Sequence, residues 1–356
     1  MEYSEISLDF FNNLNLPKEK IVWLRKKYSE IIKKAREKSK SDKCVLCGKS
    51  CTSFCNSHSI PSFIIKNIAT DGKIVSGINY MNNKLYNKEI GVKETLTFNI
   101  ICQDCDRIYF SNYENNELYS KNVNKVVLSE IALKNYLRYF SKRIIEKEIY
   151  NELINIGYSN PSIYDMLDAA ELDMKEYKNH IEKIKTRKND YYLIDEINLD
   201  YTVPIAFQSS ICLVADFEGK KVNDVFNFDS NYKTQDLHIS VFPMENKTKI
   251  LMFIKDGDIR YKSFYRKYRS LSLIDKLYTI NYLIFRYSEE WVLNKKFIEK
   301  IDENTRNKIA LSINIKKRYD NIFEMLLGLT DEDQKFRKYK IKLDEEVFNF
   351  LKEKLV

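Results

Sequence analysis

The sequence predicts an α+β protein, mostly helical, with a small antiparallel sheet in its second half and a cysteine-rich module towards its N-terminus. Three observations predict it. Long stretches carry apolar residues at the three- and four-residue spacing of amphipathic helices. One region, 191–256, replaces that period with short β-branched and aromatic runs. Six of the seven cysteines lie between residues 44 and 105. The 356-residue chain contains only 8 glycines and 5 prolines, a composition for long helices and few tight turns. Its length allows a large core and more than one domain.

The expected organisation is a basic amphipathic helical segment over 1–42, the cysteine module over 43–118, a helical region over 119–190, and an α+β region of unassigned role over 191–356. In the first segment a helix is expected over 18–40. Pro17 suits the entry to its first turn, Ile21, Leu24, Tyr28, Ile31, Ile32 and Ala35 share one face, and lysines fill the other. Within the cysteine module KIVSGI and TLTFNII read as strands. Val123, Val126, Val127, Ile131, Leu133, Leu137 and Phe140 mark a second helix, and Gly157 and Pro161 separate it from a third. In the second half SSICLVADF, DVFNF, LHISVF and KILMFI read as strands joined by the turn-like EGKK and MENKT, and helices follow Asp258.

The first residues lack the basic-then-apolar order of a signal peptide. No apolar run approaches the roughly 20 residues needed to cross a bilayer. The expectation is a soluble, cytoplasmic protein without a membrane partner. Net charge is +8, and between Lys18 and Lys43 eleven Lys or Arg stand against four acids. A local basic stripe favours a polyanion, and Lys26, Lys27, Lys33, Lys34 and Arg36 are the expected nucleic-acid contacts. The segment IRYKSFYRKYR, from Ile259 to Arg269, interleaves cations with aromatics; it reads either as a surface for bases and phosphates or as a helix with Tyr and Phe in the core. No Walker A loop and no GxGxxG occurs, which excludes the common nucleotide-binding motifs.

Cys44-Val-Leu-Cys47-Gly and Cys102-Gln-Asp-Cys105 have zinc-knuckle spacing, with Gly48 where the chain must turn back. Four thiolates close a tetrahedral Zn2+ site. The 54 residues between the pairs are tolerable because loop-closure entropy grows slowly with length. Cys51 and Cys55 read as ordinary thiols, and Cys212, in an apolar run, as a buried one. His180 and His238 lack partners at metal-ligand spacing and receive no role.

Between the pairs stands Ser57-His58-Ser59-Ile60-Pro61-Ser62-Phe63. After them come Asp106, directly behind the last cysteine, and Phe110-Ser111-Asn112-Tyr113-Glu114. C-x2-C, S-H-x-I-P-x-F, C-x2-C-D and F-S-x-Y-E together resemble the HNH-type nucleases, the ββα-metal family in its zinc-knuckled, treble-clef form. The resemblance covers about residues 43–118. It implies a ββα-metal module with structural zinc on Cys44, Cys47, Cys102 and Cys105. It implies His58 as the general base that activates water against a phosphodiester, and Asp106 as ligand of a catalytic Mg2+ or Mn2+. Such roles suit an imidazole that titrates near neutrality and a hard carboxylate oxygen. Many members carry Asp, Glu or His directly before the base as a second metal ligand; this chain has Ser57, preceded by Asn56. Glu114 matches a glutamate of the S-H-x-I-P subgroup and is expected in a supporting role on the same helix as Asp106.

The resemblance implies a metal-dependent endonuclease, on DNA rather than RNA, with antiviral defence as the analogy for its setting. The alternative is a catalytically inactive zinc module that binds nucleic acid or protein. The C-terminal region is where a protein partner or a second copy would be accommodated.

Overall fold

The computed structural model describes residues 18–76, 78–79, 84–85, 89–157, 162–186, 190–225, 227, 229, 231–312, 336–343 and 348–355. Its elements in chain order are α1 (Lys18–Lys38), β1 (Ser57–His58), α2 (Ser62–Ile68), β2 (Lys73–Val75), β3 (Ile78–Asn79), β4 (Lys84–Leu85), β5 (Glu89–Gly91), β6 (Thr97–Phe98), α3 (Gln103–Tyr109), α4 (Lys125–Asn155), α5 (Ser162–Lys185), β7 (Tyr191–Leu199), β8 (Ile205–Ile211), β9 (Leu237–Met244), β10 (Lys247–Lys255), α6 (Lys262–Arg269), α7 (Leu273–Tyr287), β11 (Trp291–Leu293), α8 (Lys295–Lys300) and α9 (Glu303–Ser312). The fold is mixed, with antiparallel sheet pairing and long helices. The expected entry at Pro17, the break at Pro161, and parts of KIVSGI and DVFNF lie outside the described residues.

The chain divides into two compact units. The first comprises residues 1–57, 97–111 and 133–188, and the second 58–96, 112–132 and 189–356. The cysteine-rich segment thus contributes to both.

In the first unit α1 buries Ile31 and Ala35, while Val22 and Trp23 on other faces are exposed. Lys38 at its end pairs with Glu152 of α4. The α4 stretch of this unit and α5 are joined by polar and aromatic contacts. Arg143 bonds Asp173 at 2.8 Å and Lys147 bonds Glu171 at 2.6 Å. The rings of Tyr136 and His180 stack at 4.5 Å, so His180 is a packing residue. The 97–111 segment supplies β6, which pairs with β1, and then α3.

The second unit is built on a seven-stranded sheet of order β5-β2-β11-β8-β9-β10-β7. The expected sheet over 191–256 is therefore larger than the sequence indicated. β2, β5 and β11 are three residues each, too short to display a period of two. DVFNF forms no strand among its described residues, and the only part of SSICLVADF after Ser210 within β8 is Ile211. The β9–β10 hairpin turns at Glu245 and Asn246, the latter with φ +58, as MENKT predicts.

Alternation gives the central strands two different buried faces. Phe207, Ile211, Leu237, Ile239, Val241, Ile250 and Met252 pack against Tyr261, Phe264 and Tyr268 of the 259–269 segment and against Leu277, Ile280 and Leu283 of α7. The other face carries Gln208 opposite Ser240 and Ser210 opposite His238, all buried. His238 stacks on Phe253 at 4.8 Å. Burial on both faces explains why β8 and β9 read as near-continuous apolar runs with polar interruptions.

The aromatics of IRYKSFYRKYR settle its two readings in favour of the core: Tyr261, Phe264 and Tyr268 are buried. Two of its cations pack within the same unit, while Lys262, Arg266 and Lys267 are exposed. Arg260 stacks on Tyr232, and Arg269 lies over Tyr192 and Tyr265 while donating to the carbonyl of Ile194 at 3.1 Å. Cys212, expected to be buried, is half-exposed because the chain leaves β8 at Ile211. No described helix is long and apolar enough to cross a membrane.

Candidate metal centre

Cys44, Cys47, Cys102 and Cys105 come together in the first unit, their four sulfurs all within 4.8 Å of one another. The first pair sits on a tight turn. Lys43 bridges to Ser50, the Gly48 amide donates to the Cys44 carbonyl at 2.8 Å, and Gly48 adopts φ +70, a conformation that costs glycine little. The second pair brackets the start of α3, with Cys102 immediately before it and Cys105 inside its first turn. The Cys102 amide donates to Cys44 Sγ at 3.3 Å, joining the two pairs.

Cys47 Sγ and Cys102 Sγ lie 3.9 Å apart. Tetrahedral zinc with bonds near 2.3 Å requires sulfur separations of about 3.8 Å, so the four cysteines can hold a metal such as zinc. Their electrostatics favour one. Burial pushes the Cys44 thiol up, but the amides of Cys102, Cys47 and Leu46 more than offset this and leave it at about 7. Cys105 is raised by burial and then by its three sulfur neighbours. Four thiolates at this spacing repel one another, and a bound cation removes the penalty. Cys51 and Cys55 stand outside the cluster. Their thiols donate to the Lys49 carbonyl at 3.4 Å and to Asp106 Oδ2 at 3.5 Å.

Asp106 follows Cys105 on α3, and its carboxylate is engaged. Ser57 Oγ donates to Oδ1 at 2.6 Å. Lys134 Nζ donates to the same oxygen at 2.9 Å and to Ser57 Oγ at 2.6 Å. The three side chains form a closed triangle. Lys134 is fully buried, against 22% exposure for Asp106, and its ammonium lies 3.9 Å from the centre of the Phe110 ring. Such a contact stabilises a desolvated cation. Burial raises the Asp106 carboxyl, but Lys134, Ser57 and Cys55 outweigh it and hold the group below the ordinary aspartate value.

A divalent ion at Asp106 does not fit this arrangement. Mg2+ demands near-octahedral oxygen coordination and retains several waters. Oδ1 already accepts two donors, one of them an ammonium whose charge repels a second cation, and Oδ2 faces a thiol.

His58, half-buried in the second unit, has a defined tautomer. Its Nε2 lies 2.9 Å from the Val92 carbonyl. A carbonyl can only accept, so Nε2 carries the hydrogen, and in the neutral ring Nδ1 holds the lone pair. The residues after it are structural. Ile60 is buried, and Pro61 directly precedes α2, its carbonyl accepting from the Ile64 amide at 3.0 Å. Tyr113 is buried, its hydroxyl donating to the Ser59 carbonyl at 2.7 Å, while Glu130 accepts from the Tyr113 amide at 2.6 Å.

Glu114 is not on the helix of Asp106. α3 ends at Tyr109 and Phe110 leaves helical geometry, so Glu114 occupies an exposed turn in the second unit. On α1, Lys26, Lys33, Lys34 and Arg36 are exposed, and Lys27 pairs with Glu30 at 3.0 Å.

Sequence reading missed Lys134. Its signal was a lone lysine within VVLSEIALKNYLRYF, three residues from both Ile131 and Leu137 and seven from Val127, on the face that helical period assigns to the core. No family model, curated protein or solved structure matches the chain.

Proposed function

We propose that this chain is a zinc-stapled module of the HNH type that hydrolyses phosphodiester bonds in nucleic acid, DNA rather than RNA, with His58 as general base. The observation that carries the proposal is the His58–Val92 hydrogen bond. It holds the imidazole in one orientation and one tautomer, the condition for accepting a proton from water at Nδ1. Supporting it are the four-sulfur cluster, from cysteines ahead of and behind His58 in the chain and close enough to hold a metal such as zinc, and the exposed cations of α1, which suit a phosphate backbone. Defence against invading DNA is the setting we infer by analogy.

The test is nicking of supercoiled plasmid by zinc-loaded protein in Mg2+, in Mn2+ and with neither. His58→Ala should lower the rate at least about 100-fold while leaving zinc content unchanged. Equal cleavage by wild type and variant would mean a contaminating nuclease and would end the proposal.

A second reading, a non-catalytic zinc module that binds nucleic acid or a protein partner, is favoured by a separate observation: the Asp106 carboxylate is closed by Ser57 and Lys134. Binding of DNA without cleavage under all three ionic conditions would select it.

A further inference from the structure

We propose that Lys134 is the resident cation of the Asp106 site, its ammonium standing where a divalent ion would otherwise bind the carboxylate and excluding that ion. The argument starts from cost. A lysine with no exposed side-chain surface is rarely tolerated unless paired. Lys134 lies in the stretch of α4 where residues 131–137 are buried on nearly all sides, and a methionine there would pack without desolvating a charge. The ammonium is therefore held for what it meets. It meets Asp106 Oδ1 at 2.9 Å, Ser57 Oγ at 2.6 Å, the face of Phe110 at 3.9 Å and the ring of Phe98 at 5.8 Å. Two oxygens and two aromatic faces make a cation site already filled by a side chain.

The same geometry accounts for Ser57. A carboxylate at that position would set two negative charges around one ammonium. A hydroxyl accepts from Lys134 and donates to Asp106, closing the triangle with one charge of each sign. Ser57 and Lys134 are thus complementary: the serine where a metal-binding residue is expected, and the lysine that fills the place beside the carboxylate. Being fully buried, Lys134 cannot touch a substrate phosphate; it is a positioning residue that fixes Asp106 and Ser57.

The inference takes the meaning of the Asp106 site from the hydrolase reading, but its test reads metal binding and not cleavage. Full-length protein with its four-cysteine site saturated by zinc is titrated with Mn2+, and free Mn2+ is followed by electron paramagnetic resonance. Wild type should show no Mn2+ site that depends on Asp106 up to millimolar concentration. Lys134→Met should gain one site at least 10-fold tighter, lost again when Asp106→Asn is added. Lys134→Arg, which keeps a cation, should refuse Mn2+ as wild type does. Where Lys134→Met does not retain zinc, Lys134→Gln takes its place. A stoichiometric Mn2+ site in wild type that Asp106→Asn removes would overturn the proposal and leave the hydrolase reading standing. Refusal of Mn2+ by the folded neutral variants would overturn it as well, since Lys134 would then not be what excludes the ion. Absence of plasmid nicking would touch only the hydrolase reading.

Discussion

Lys134 and Asp106 form an ion pair at 2.9 Å in which the cation is wholly buried and the anion 22% exposed. That asymmetry makes the two partners unequal. Breaking a buried pair by removing one member costs about 3–5 kcal/mol, because the other charge is left desolvated. Asp106→Asn takes the negative charge away from an ammonium with no exposed surface, whereas Lys134→Met leaves a carboxylate that still reaches solvent and keeps Ser57 as a donor. Urea unfolding of zinc-loaded proteins should therefore rank Asp106→Asn as the more destabilising, with the double variant recovering part of the loss. The reverse order would show that the pair is not the main partner of Lys134.

The four-sulfur cluster predicts one zinc per chain. Cys105→Ser and Cys47→Ser should each lower zinc content below stoichiometry after gel filtration and reduce the melting temperature sharply, since structural zinc contributes on the order of 10 kcal/mol. Cys51→Ser and Cys55→Ser should keep full stoichiometry. Atomic emission analysis of the four variants checks this, and loss of zinc from the second pair of variants would redraw the ligand set.

The exposed lysines of α1 predict a salt dependence. Log affinity for duplex DNA falls against log salt with a slope of about 0.9 per phosphate contact. The triple variant Lys33→Ala, Lys34→Ala, Arg36→Ala should make that slope shallower by up to about 2.7 without changing zinc content. Fluorescence anisotropy at several salt concentrations measures it. An unchanged slope would remove α1 from the interface.

Asp258, just before the 259–261 turn, predicts a pH effect. Burial raises its carboxyl to about 6, against the pull of Lys255 and Arg260. The ordinary aspartate value, near 3.9, stands for the unfolded chain. The folded protein therefore binds this proton more tightly, and the stability so contributed is present below about pH 4 and lost as pH rises through about 6. Asp258→Asn removes the titration. Relative to wild type the variant should become progressively more stable between pH 4 and pH 7, read from urea midpoints. A pH-independent difference would mean that Asp258 titrates normally.

Much of the fold was legible because its signals are local. The α5 helix announces itself by apolar period, α4 by a long run free of glycine and proline, the β9–β10 hairpin by MENKT between two apolar runs, and the four-cysteine cluster by two C-x2-C pairs. What escaped was non-local. The β2 and β11 strands, residues 73–75 and 291–293, pair through Val75 and Leu293, far apart in the chain and too short to carry a pattern. The aromatics of the 259–269 segment read equally as a base-stacking surface until the sheet to pack against was in view. Glu114 was expected on a helix that ends at Tyr109, because Phe110 goes into the core and turns the chain.

By itself the sequence determined the cysteine spacing, the helical periods, the basic stripe of α1 and the presence of His58 and Asp106 near the knuckles, since each depends on residues close together in the chain. Only the tertiary structure decided which atoms those residues meet. The Val92 carbonyl sets the His58 tautomer from 34 positions away, and Lys134 reaches Asp106 from 28 positions away. A charge is neutralised by whatever is nearest in space, and in this chain that is a lysine which sequence order places on another helix.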